Sequence, residues 1–377
     1  MDPNRYLRHS LIDWFSQDTV RAARIAVIGA GAVGNEVVKN LVLLGAGSID
    51  VYDFDRVEIH NLTRSIFLRE SDVGASKAEV VVDRAREVDP SVELRGIEGD
   101  FWLTLSLSQL RCYSAVVCCV DNFEARLRLN QMCLIVGIDL VNTAIDSRCA
   151  TVETFPYAAD AIPACYECHL PHSAYQRVAE RYSCGWLRKA AWTERKVPTT
   201  TITASVAGAL AASAALRLGG RPHGDSRRVF FDTISGTSTV SLLQRQPECV
   251  GCGTFTERPR ALAARNDWVR HLSETAGTRS RSGGITVRLS DPIITAYVCA
   301  QCGDAMEAGA YVNRRAAEFD DRIMLCAACG QRAVRVEMRD EFTHVELIKR
   351  FRGTSVPAKY ALAAVGNEWV CLDFEED

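Results

Sequence analysis

The chain has 377 residues, 47% of them hydrophobic and 24% charged, which is typical of a soluble globular enzyme with two or three domains. Its formal net charge of −3 gives no global electrostatic attraction to nucleic acid or to an anionic membrane. The first residues lack a secretory signal pattern, and no apolar run has the length of a membrane span. We therefore expect a cytoplasmic protein without a membrane or nucleic-acid partner.

The first part of the chain alternates between helical and strand patterns. Residues 1–22 are predicted to form an N-terminal helical segment, because apolar residues recur there at helical spacing. Short apolar runs that predict buried strands follow at 24–28, 48–52, 92–97, 115–120 and 139–142. Helical segments are predicted at 35–44, 76–88 and 123–136. This alternation predicts an α/β fold: a doubly wound, mainly parallel, Rossmann-like sheet with helices on both faces.

The pattern changes after residue 151, but one domain is expected to extend over 23–254. It includes a polar, basic loop at about 172–198, followed by an alanine-rich segment too short to span a bilayer, which we interpret as a buried helix. A polar stretch at 255–284 is predicted to be a linker. Residues 285–377 are then predicted to form a small, β-rich C-terminal domain.

A glycine loop follows the first predicted strand. Its glycines, Gly29, Gly31 and Gly34, have the spacing that brings backbone N–H groups and a helix N-terminus close to phosphate. Asp53 ends the next strand, about 20 residues downstream, which is the usual distance for a ribose-binding acid. These features fit a dinucleotide and a nucleoside triphosphate equally well.

The residues downstream favour a triphosphate. Cleavage of ATP between its α and β phosphates places negative charge on pyrophosphate. Asn61, Arg64 and Lys77 would stabilise that charge, by a few kcal/mol for each well-aimed group. Asp121, at the tip of a further strand, would hold Mg²⁺ together with phosphate oxygens. A nicotinamide enzyme has no need of such a cation cluster, because the backbone holds its pyrophosphate.

These motifs resemble the ubiquitin-activating superfamily, whose bacterial members include the ThiF/MoeB/HesA adenylyltransferases. The matching positions are Arg5-Tyr6-Leu7-Arg8-His9, the glycine loop, Asp53-Phe54-Asp55, Asn61-x-x-Arg64, Gly74-x-x-Lys77, Asp121-Asn122, Arg126 and Asn130. Two departures are His9 and Ser65, where many relatives carry glutamine; neither removes a group that the chemistry needs.

The resemblance implies a role for each matching residue. Asp53, with Asp55 beside it, is expected to bind the ribose side of ATP, and Asp121 the magnesium ion. The triphosphate is expected to lie against Asn61, Arg64 and Lys77. Arg8, with Arg5 as a second candidate, is expected to reach the active site of a partner subunit, which implies a homodimer.

The reaction that the resemblance implies is ATP-dependent adenylation of the C-terminal glycine of a ubiquitin-like protein ending in Gly-Gly. Transfer to a conjugating enzyme would follow. An alternative within the family is activation of a sulfur-carrier protein for thiamine- or molybdopterin-type biosynthesis. Two alternatives from other classes are an NAD-dependent oxidoreductase and an inactive scaffold that only binds a partner.

Four Cys-x-x-Cys pairs account for eight of the 15 cysteines: Cys165/Cys168, Cys249/Cys252, Cys299/Cys302 and Cys326/Cys329. Such pairs predict zinc bound by four thiolates, with a redox dithiol as the alternative. The last two pairs have a spacing close to that of a zinc ribbon. The first two lie far apart in sequence, and the resemblance implies that they join in one zinc site. Both Zn²⁺ ions are expected to be structural.

Cys184 lies in the basic loop, near Arg181, Arg188 and Lys189. Nearby cations lower the pKa of a thiol and raise its thiolate fraction. The resemblance implies that such a cysteine accepts the acyl group as a thioester; the alternative is an incidental loop cysteine. The C-terminal domain is interpreted either as a stabilising module or as a docking surface for a partner protein.

Overall fold

The computed structural model describes residues 5–171, 173, 198–219, 224–264, 266–279, 285–303, 312–318, 325–326, 328–331, 334–365 and 368–375. The chain forms two compact units. Unit 1 consists of Met1–His169 and Val197–Thr254, and unit 2 of Leu170–Lys196 and Phe255–Asp377.

Unit 1 is built on a sheet of eight strands within the described ranges. The strands are β1 (Arg24–Ile28), β2 (Ser48–Asp53), β3 (Glu93–Glu98), β4 (Ala115–Cys118), β5 (Leu140–Ile145), β6 (Cys149–Phe155), β7 (Arg227–Asp232) and β8 (Thr237–Leu242). Their order is β3-β2-β1-β4-β5-β6-β7-β8. The first five strands pair in parallel, and the last three join in antiparallel fashion. The predicted Rossmann-like, mainly parallel sheet is confirmed.

Helices cover this sheet and close its core. They are α1 (Gln17–Ala22), α2 (Ala32–Leu44), α3 (Lys77–Val88), α4 (Phe101–Thr104), α5 (Leu107–Leu110), α6 (Phe123–Val136) and α7 (Thr201–Leu218). Ile25 and Val27 of β1 are fully buried in one cluster with Val37 and Leu41 of α2. Gly45 ends α2 in the left-handed region, with φ +75°, a conformation that favours glycine.

Among the described residues, α7 is the one helix long and apolar enough to cross a membrane by length and composition. Most of its alanines, including Ala204, Ala207, Ala211 and Ala215, are buried in the same cluster as β1 and α2. Small side chains let this helix approach its neighbours closely. The predicted buried helix is therefore a core helix of unit 1.

The N-terminal helical segment differs from a single helix. A short 3₁₀ helix spans Leu7–Leu11, and α1 begins separately, with the Ser16 hydroxyl accepting a hydrogen bond from the Thr19 backbone N–H. Leu11 and Trp14 are 80% and 72% exposed. Leu11 and Trp14 therefore do not contribute to a buried face of the kind that would stabilise one continuous helix here.

The described residues of unit 2 form a second sheet with two α-helices. The strands, in the order β11-β10-β12-β13-β9, are β9 (Arg260–Ala263), β10 (Thr286–Cys299), β11 (Val334–Thr343), β12 (Tyr360–Val365) and β13 (Glu368–Asp373). The helices are α8 (Trp268–Arg279) and α9 (His344–Phe351). Buried side chains of both helices, among them Leu272 and Leu347, share one apolar core with the sheet.

Residues 255–284, predicted to be a linker, contain β9 and α8 instead. β9 pairs in parallel with β13, and Trp268 of α8 is buried in the core of unit 2. The sequence of α8 is polar overall because the helix is amphipathic: Trp268 and Leu272 are buried in the core, whereas Arg270, Ser273 and Glu274 are exposed. Average polarity therefore concealed a packed helix.

Candidate nucleotide and metal sites

The glycine loop packs tightly against the end of β4. Gly29 has φ +101°, and a Cβ atom there would lie 2.8 Å from the carbonyl oxygen of Cys119. A Cβ atom at Gly34 would collide with the carbonyl oxygen of Gly29. Gly31 is the N-cap of α2, and a Cβ atom there would meet nothing described within 4 Å. The loop thus leaves open space beside the N-terminus of a helix, where an anion is favoured.

The carboxylate of Asp53 joins this loop to the end of β2. It accepts hydrogen bonds from the backbone N–H groups of Ala30, at 2.6 Å, and Asp55, at 2.7 Å. Burial raises the pKa of Asp53 above its ordinary value, and these two hydrogen bonds oppose the shift. Each carboxylate oxygen still has a lone pair for a further donor, such as a ribose hydroxyl.

Lys77 and Asp55 form an ion pair beside Asp53. The Lys77 Nζ atom lies 2.8 Å from Asp55 Oδ2, and the Lys77 backbone N–H donates to the Asp55 carbonyl oxygen at 3.0 Å. The Lys77 side chain is 9% exposed and that of Asp55 is 52% exposed. The ammonium group is therefore fixed at the start of α3, with a carboxylate partner that water reaches easily.

Asn61 and Arg64 belong to a short 3₁₀ helix and the turn after it. The buried Asn61 side chain accepts the Glu58 backbone N–H at 2.9 Å, which leaves its Nδ2 group as the donor suited to a phosphate. The half-buried Arg64 guanidinium donates to the His60 carbonyl oxygen at 2.9 Å. Local backbone contacts thus hold both side chains.

The sequence interpretation missed Asn35, which connects the glycine loop to the segment that carries Arg64. Its fully buried side chain donates to the carbonyl oxygens of Ala30, at 2.8 Å, and Gly31, at 3.1 Å. The same side chain accepts the Phe67 backbone N–H at 3.1 Å. The available signal was the position of Asn35 directly after the last loop glycine, at the start of α2.

Asp121 lies exposed in the turn between β4 and α6. The next residue, Asn122, caps α6 by accepting a backbone N–H of its first turn at 2.8 Å. Arg126 of the same helix donates to the carbonyl oxygen of Val120 and to the side chain of Asn142. The backbone on both sides of Asp121 is therefore fixed, while its carboxylate faces solvent.

Sheet register brings three of the predicted site residues to one edge. Ile28 pairs with Tyr52 on one side and Cys118 on the other, so Gly29, Asp53 and Asp121 all lie beyond the carboxyl ends of neighbouring parallel strands. Ligands of doubly wound sheets bind at this edge.

Two predicted residues are not brought to this edge by the structure. Arg8 is exposed on the 3₁₀ helix Leu7–Leu11, and within the described ranges its side chain makes no hydrogen bond or ion pair. Arg5 is bound within its own chain, 2.6 Å from Asp89. Cys184 lies outside the described residues.

The first tetracysteine cluster joins two distant parts of unit 1. The Sγ–Sγ distances are 3.6 Å for Cys165 and Cys249, 3.4 Å for Cys168 and Cys252, and 3.9 Å for Cys165 and Cys168. Zinc with four thiolates at about 2.3 Å requires sulfurs about 3.8 Å apart, so this cluster fits the ion. A hydrogen bond with Cys165 lowers the pKa of the Cys249 thiol to about 6, which favours the thiolate form that metals bind.

The second cluster lies in unit 2, at the end of the β10–β11 hairpin. Its sulfurs are 3.5 Å apart for Cys299 and Cys329 and 3.7 Å apart for Cys302 and Cys326. All four ligand atoms lie within 4.8 Å of one another, as they also do in the first cluster. Cys302 and Cys329 are exposed, whereas three of the four residues in the first cluster are buried. Both clusters fit structural zinc.

Unit 1 is thus a Rossmann-like domain with a glycine loop at a helix N-terminus, acidic and cationic side chains held beside it, and a tetracysteine cluster. Residues 4–252 match the ThiF family, and the chain belongs to that family of E1-like adenylyltransferases. The match ends at residue 252, so the part of unit 2 from Phe255 onward lies outside the shared family region.

Curated relatives share this region. The chain is 29% identical over 246 residues to the sulfur carrier protein adenylyltransferase of Thermus thermophilus, covering 63% of this chain and 84% of the relative. It is 28% identical over 259 residues to the SAMP-activating enzyme E1 of Haloferax volcanii, covering 66% and 88%. It also matches the SUMO-activating enzyme subunit 2 of Dictyostelium discoideum, 32% identical over 127 residues, but covers only 19% of that protein.

Solved structures agree at the level of the fold. E. coli MccB with ATP superposes with a TM-score of 0.53 and 22% sequence identity, covering 67% of this chain and 75% of MccB.

Proposed function

We propose that this protein binds ATP at the carboxyl edge of the unit 1 sheet and adenylates the C-terminal glycine of a ubiquitin-like protein. A glycine carboxylate oxygen attacks the α-phosphorus, and the bond from that phosphorus to the bridging oxygen of the β-phosphate breaks. Pyrophosphate leaves with the electron pair. One observation carries this proposal. At one edge of the sheet, direct hydrogen bonds connect the glycine loop to Asp53, Asp53 to Asp55, and Asp55 to Lys77.

Each of these groups has a role that suits its surroundings. Asp53 accepts a ribose hydroxyl while its backbone hydrogen bonds keep it in place. Lys77, Arg64 and the Asn61 amide donate to the triphosphate and stabilise the charge that develops on pyrophosphate. Because backbone contacts hold Arg64 and Asn61 and the Asp55 carboxylate holds Lys77, little reorganisation is needed during the reaction.

Asp121 is the proposed ligand of Mg²⁺. Magnesium binds through one or two carboxylates together with phosphate oxygens, and keeps several waters. An exposed carboxylate on a rigid turn at the same edge suits this arrangement. The ion would supply charge neutralisation at the phosphates, and the turn would hold Asp121 in position.

The two zinc ions are proposed to be structural. Four thiolates complete the tetrahedral shell and leave no open position for a substrate or for water. In unit 1 the ion would hold the segment around Cys165 to the segment around Cys249. In unit 2 it would close the end of the β10–β11 hairpin.

We further propose a second, thiol-dependent step on Cys184. Its thiolate attacks the acyl carbon of the adenylate, the bond from that carbon to the AMP oxygen breaks, and AMP leaves. The acyl group would then be transferred from this thioester to a conjugating enzyme. We propose that the reaction takes place in the cytoplasm. The enzyme would be a homodimer in which Arg8 of each chain reaches the active site of the other. Activation of a sulfur carrier is the second candidate function. It is supported by the similarity to the Thermus sulfur carrier protein adenylyltransferase, since the match covers 84% of that relative.

ATP–pyrophosphate exchange tests the first step. The purified chain is incubated with labelled pyrophosphate and each small Gly-Gly-terminated protein encoded near its gene. A matched version of each protein that lacks the Gly-Gly tail serves as control. We expect exchange that depends on the tail; its absence with every such protein would contradict the proposal.

A thiol-sensitive adduct tests the second step. Cys184→Ala is expected to retain exchange and to lose a covalent adduct that thiols cleave. Cys112→Ala, at an exposed cysteine of unit 1, is the matched control and should retain both. An adduct that persists in Cys184→Ala would exclude Cys184 as the acceptor. Exchange without any thiol-labile adduct would favour the sulfur-carrier alternative.

A further inference from the structure

We infer that Glu167, between the first two cysteines of the unit 1 cluster, is a positioning residue that connects the metal cluster to helix α6 and to Asp121. Its carboxylate accepts a hydrogen bond from Asn130 Nδ2 at 2.9 Å and one from Gln131 Nε2 at 3.0 Å. Both amides belong to α6. The segment that contributes Cys165 and Cys168 therefore holds this helix through one buried acid.

Because these groups are buried, loss of their hydrogen bonds would be energetically costly. Asn130 is fully buried and Glu167 is 7% exposed. The oxygen of the Asn130 amide is occupied as well, by the Tyr157 hydroxyl and by the Tyr166 backbone N–H at 3.2 Å. If the carboxylate were removed, the Asn130 amide would remain buried without this acceptor, which costs more than the net value of the bond itself.

The second cysteine pair reaches the same acid. A Cβ atom at Gly251, between Cys249 and Cys252, would lie 2.5 Å from Glu167 Oε1. Gln131 also donates to the Gly251 carbonyl oxygen at 3.1 Å. Glu167 thus lies where both halves of the cluster meet α6, and Gly251 leaves room for its carboxylate.

Helix α6 carries this restraint to the nucleotide edge. Arg126 lies one turn before Asn130, on the same face of the helix. It donates to the carbonyl oxygen of Val120, the residue before Asp121. A shift of α6 along or about its axis would therefore move the turn that holds Asp121. The effect on magnesium rests on the proposed function, whereas the effect on α6 does not.

Three variants separate the contributions of this acid. Glu167→Ala removes the oxygen that accepts from both amides, whereas Glu167→Gln keeps an oxygen of similar geometry. Gly251→Ala displaces the carboxylate without changing Glu167. Glu248→Ala is the matched control, since it removes an exposed acid directly before Cys249.

Hydrogen exchange of the peptide covering residues 121–136, measured with zinc content, tests the positioning itself. In Glu167→Ala and Gly251→Ala we expect exchange about tenfold faster in this helix, with the zinc content unchanged. Glu167→Gln should be close to wild type, and Glu248→Ala identical to it. Unchanged exchange, or loss of zinc together with faster exchange, would overturn the inference.

Magnesium titration of ATP binding then tests the link to Asp121. Glu167→Ala is expected to raise the Mg²⁺ concentration at half-saturation about tenfold, while ATP binding in EDTA stays the same. In Asp121→Asn the additional effect of Glu167→Ala should disappear. Equal weakening with and without Mg²⁺ would overturn the link. If the wild type binds no ATP, the proposed function fails, and the exchange measurement still decides whether Glu167 positions α6.

Discussion

The backbone N–H of Ala30, inside the glycine loop, donates a 2.6 Å hydrogen bond to the carboxylate of Asp53 at the end of β2. One acid therefore shapes the glycine loop and, in the proposed ATP site, also binds the ribose. In that site, loop geometry and ribose recognition would depend on each other through this contact. Substitution of Asp53 should affect both.

Asp53→Asn should weaken ATP binding about ten- to a hundredfold, because hydrogen bonds to charged groups contribute about 1.5–3 kcal/mol. The Asn side chain keeps one acceptor oxygen but turns an NH₂ group toward one of the two backbone donors. Calorimetric titration with ATP measures the loss. Asp83→Asn, an exposed acid on α3, is the control; equal affinity for Asp53→Asn and wild type would contradict the ribose assignment.

The pH dependence of binding should show the raised pKa of Asp53. Burial causes that shift, so the carboxylate takes up a proton at a higher pH than an exposed aspartate, and ATP affinity should decrease as pH is lowered through this pKa. The effect of pH on the stability of the fold has the opposite direction, because the folded chain binds this proton more tightly than the unfolded chain does. The contribution of Asp53 to the free energy of unfolding therefore decreases as pH rises between the unfolded and folded pKa values. Titration and denaturant unfolding of wild type and Asp53→Asn over this range test both signs.

Lys77→Met should reduce ATP–pyrophosphate exchange about a hundredfold, as expected for one preorganised donor to transition-state charge. Thermal stability should change little, because the partner carboxylate of Asp55 is 52% exposed and water can replace the ammonium group. Arg86→Gln, another paired cation on the same helix, should leave exchange unchanged. A parallel loss of stability and exchange would instead indicate a structural role for Lys77.

The sequence predicted those features that depend on local pattern. Alternating apolar runs predicted the parallel strands of unit 1, and the glycine spacing predicted the turn that Gly29 makes with positive φ. Cysteine spacing predicted the four Cys-x-x-Cys pairs and the union of the last two in one cluster. Each of these signals lies within a short stretch of chain, where one physical requirement determines the residue type. The union of the first two pairs, which are far apart in sequence, was implied by the family resemblance instead.

Features that depend on tertiary contacts could not be predicted in this way. Asn35 and Glu167 form hydrogen bonds with residues more than thirty positions away in the chain. The presence of one polar residue in the sequence does not identify such partners. The strand and helix within 255–284 were missed because α8 is stabilised by its packing against a sheet rather than by its own polarity pattern. The division of the N-terminal segment into a 3₁₀ helix and α1 also depends on tertiary packing, which the spacing of apolar residues does not reveal.

Zinc should be released from the two clusters at different rates. The purified chain is expected to contain two zinc ions, and a mercurial thiol reagent with a colorimetric chelator should release them in two phases. The faster phase should come from unit 2, where Cys302 and Cys329 are exposed, and should be at least about tenfold faster. Cys302→Ser should remove only that phase. Release in a single phase would show that exposure does not control access to the metal.

Acid should release the N-terminal segment. Burial of Asp89 opposes ionisation, but hydrogen bonds from Tyr6, Arg5 and Ser91 outweigh it and hold the pKa of Asp89 well below its ordinary value. A lowered folded pKa stabilises the fold above the unfolded pKa of about 4, and this contribution is lost as pH falls further. Asp89→Asn should therefore loosen residues 5–11 already at neutral pH. Hydrogen exchange of this segment tests the expectation, with Asp83→Asn as control.

A mixed-dimer experiment distinguishes action of Arg8 in its own chain from action in a partner chain. Arg8 is exposed on the 3₁₀ helix Leu7–Leu11 and, among the described residues, forms no ion pair. Arg8→Ala and Lys77→Met should each lose most exchange activity as separate homodimers. In a mixed dimer, the Arg8→Ala chain keeps Lys77 and receives Arg8 from the Lys77→Met chain, so one of its two sites should be active. Mixing equal amounts and allowing the subunits to exchange should restore about a quarter of wild-type activity, since about half of the dimers are mixed.

Size-exclusion chromatography with light scattering establishes the dimer independently. If mixing restores nothing although mixed dimers form, Arg8 acts within its own chain or has no catalytic role.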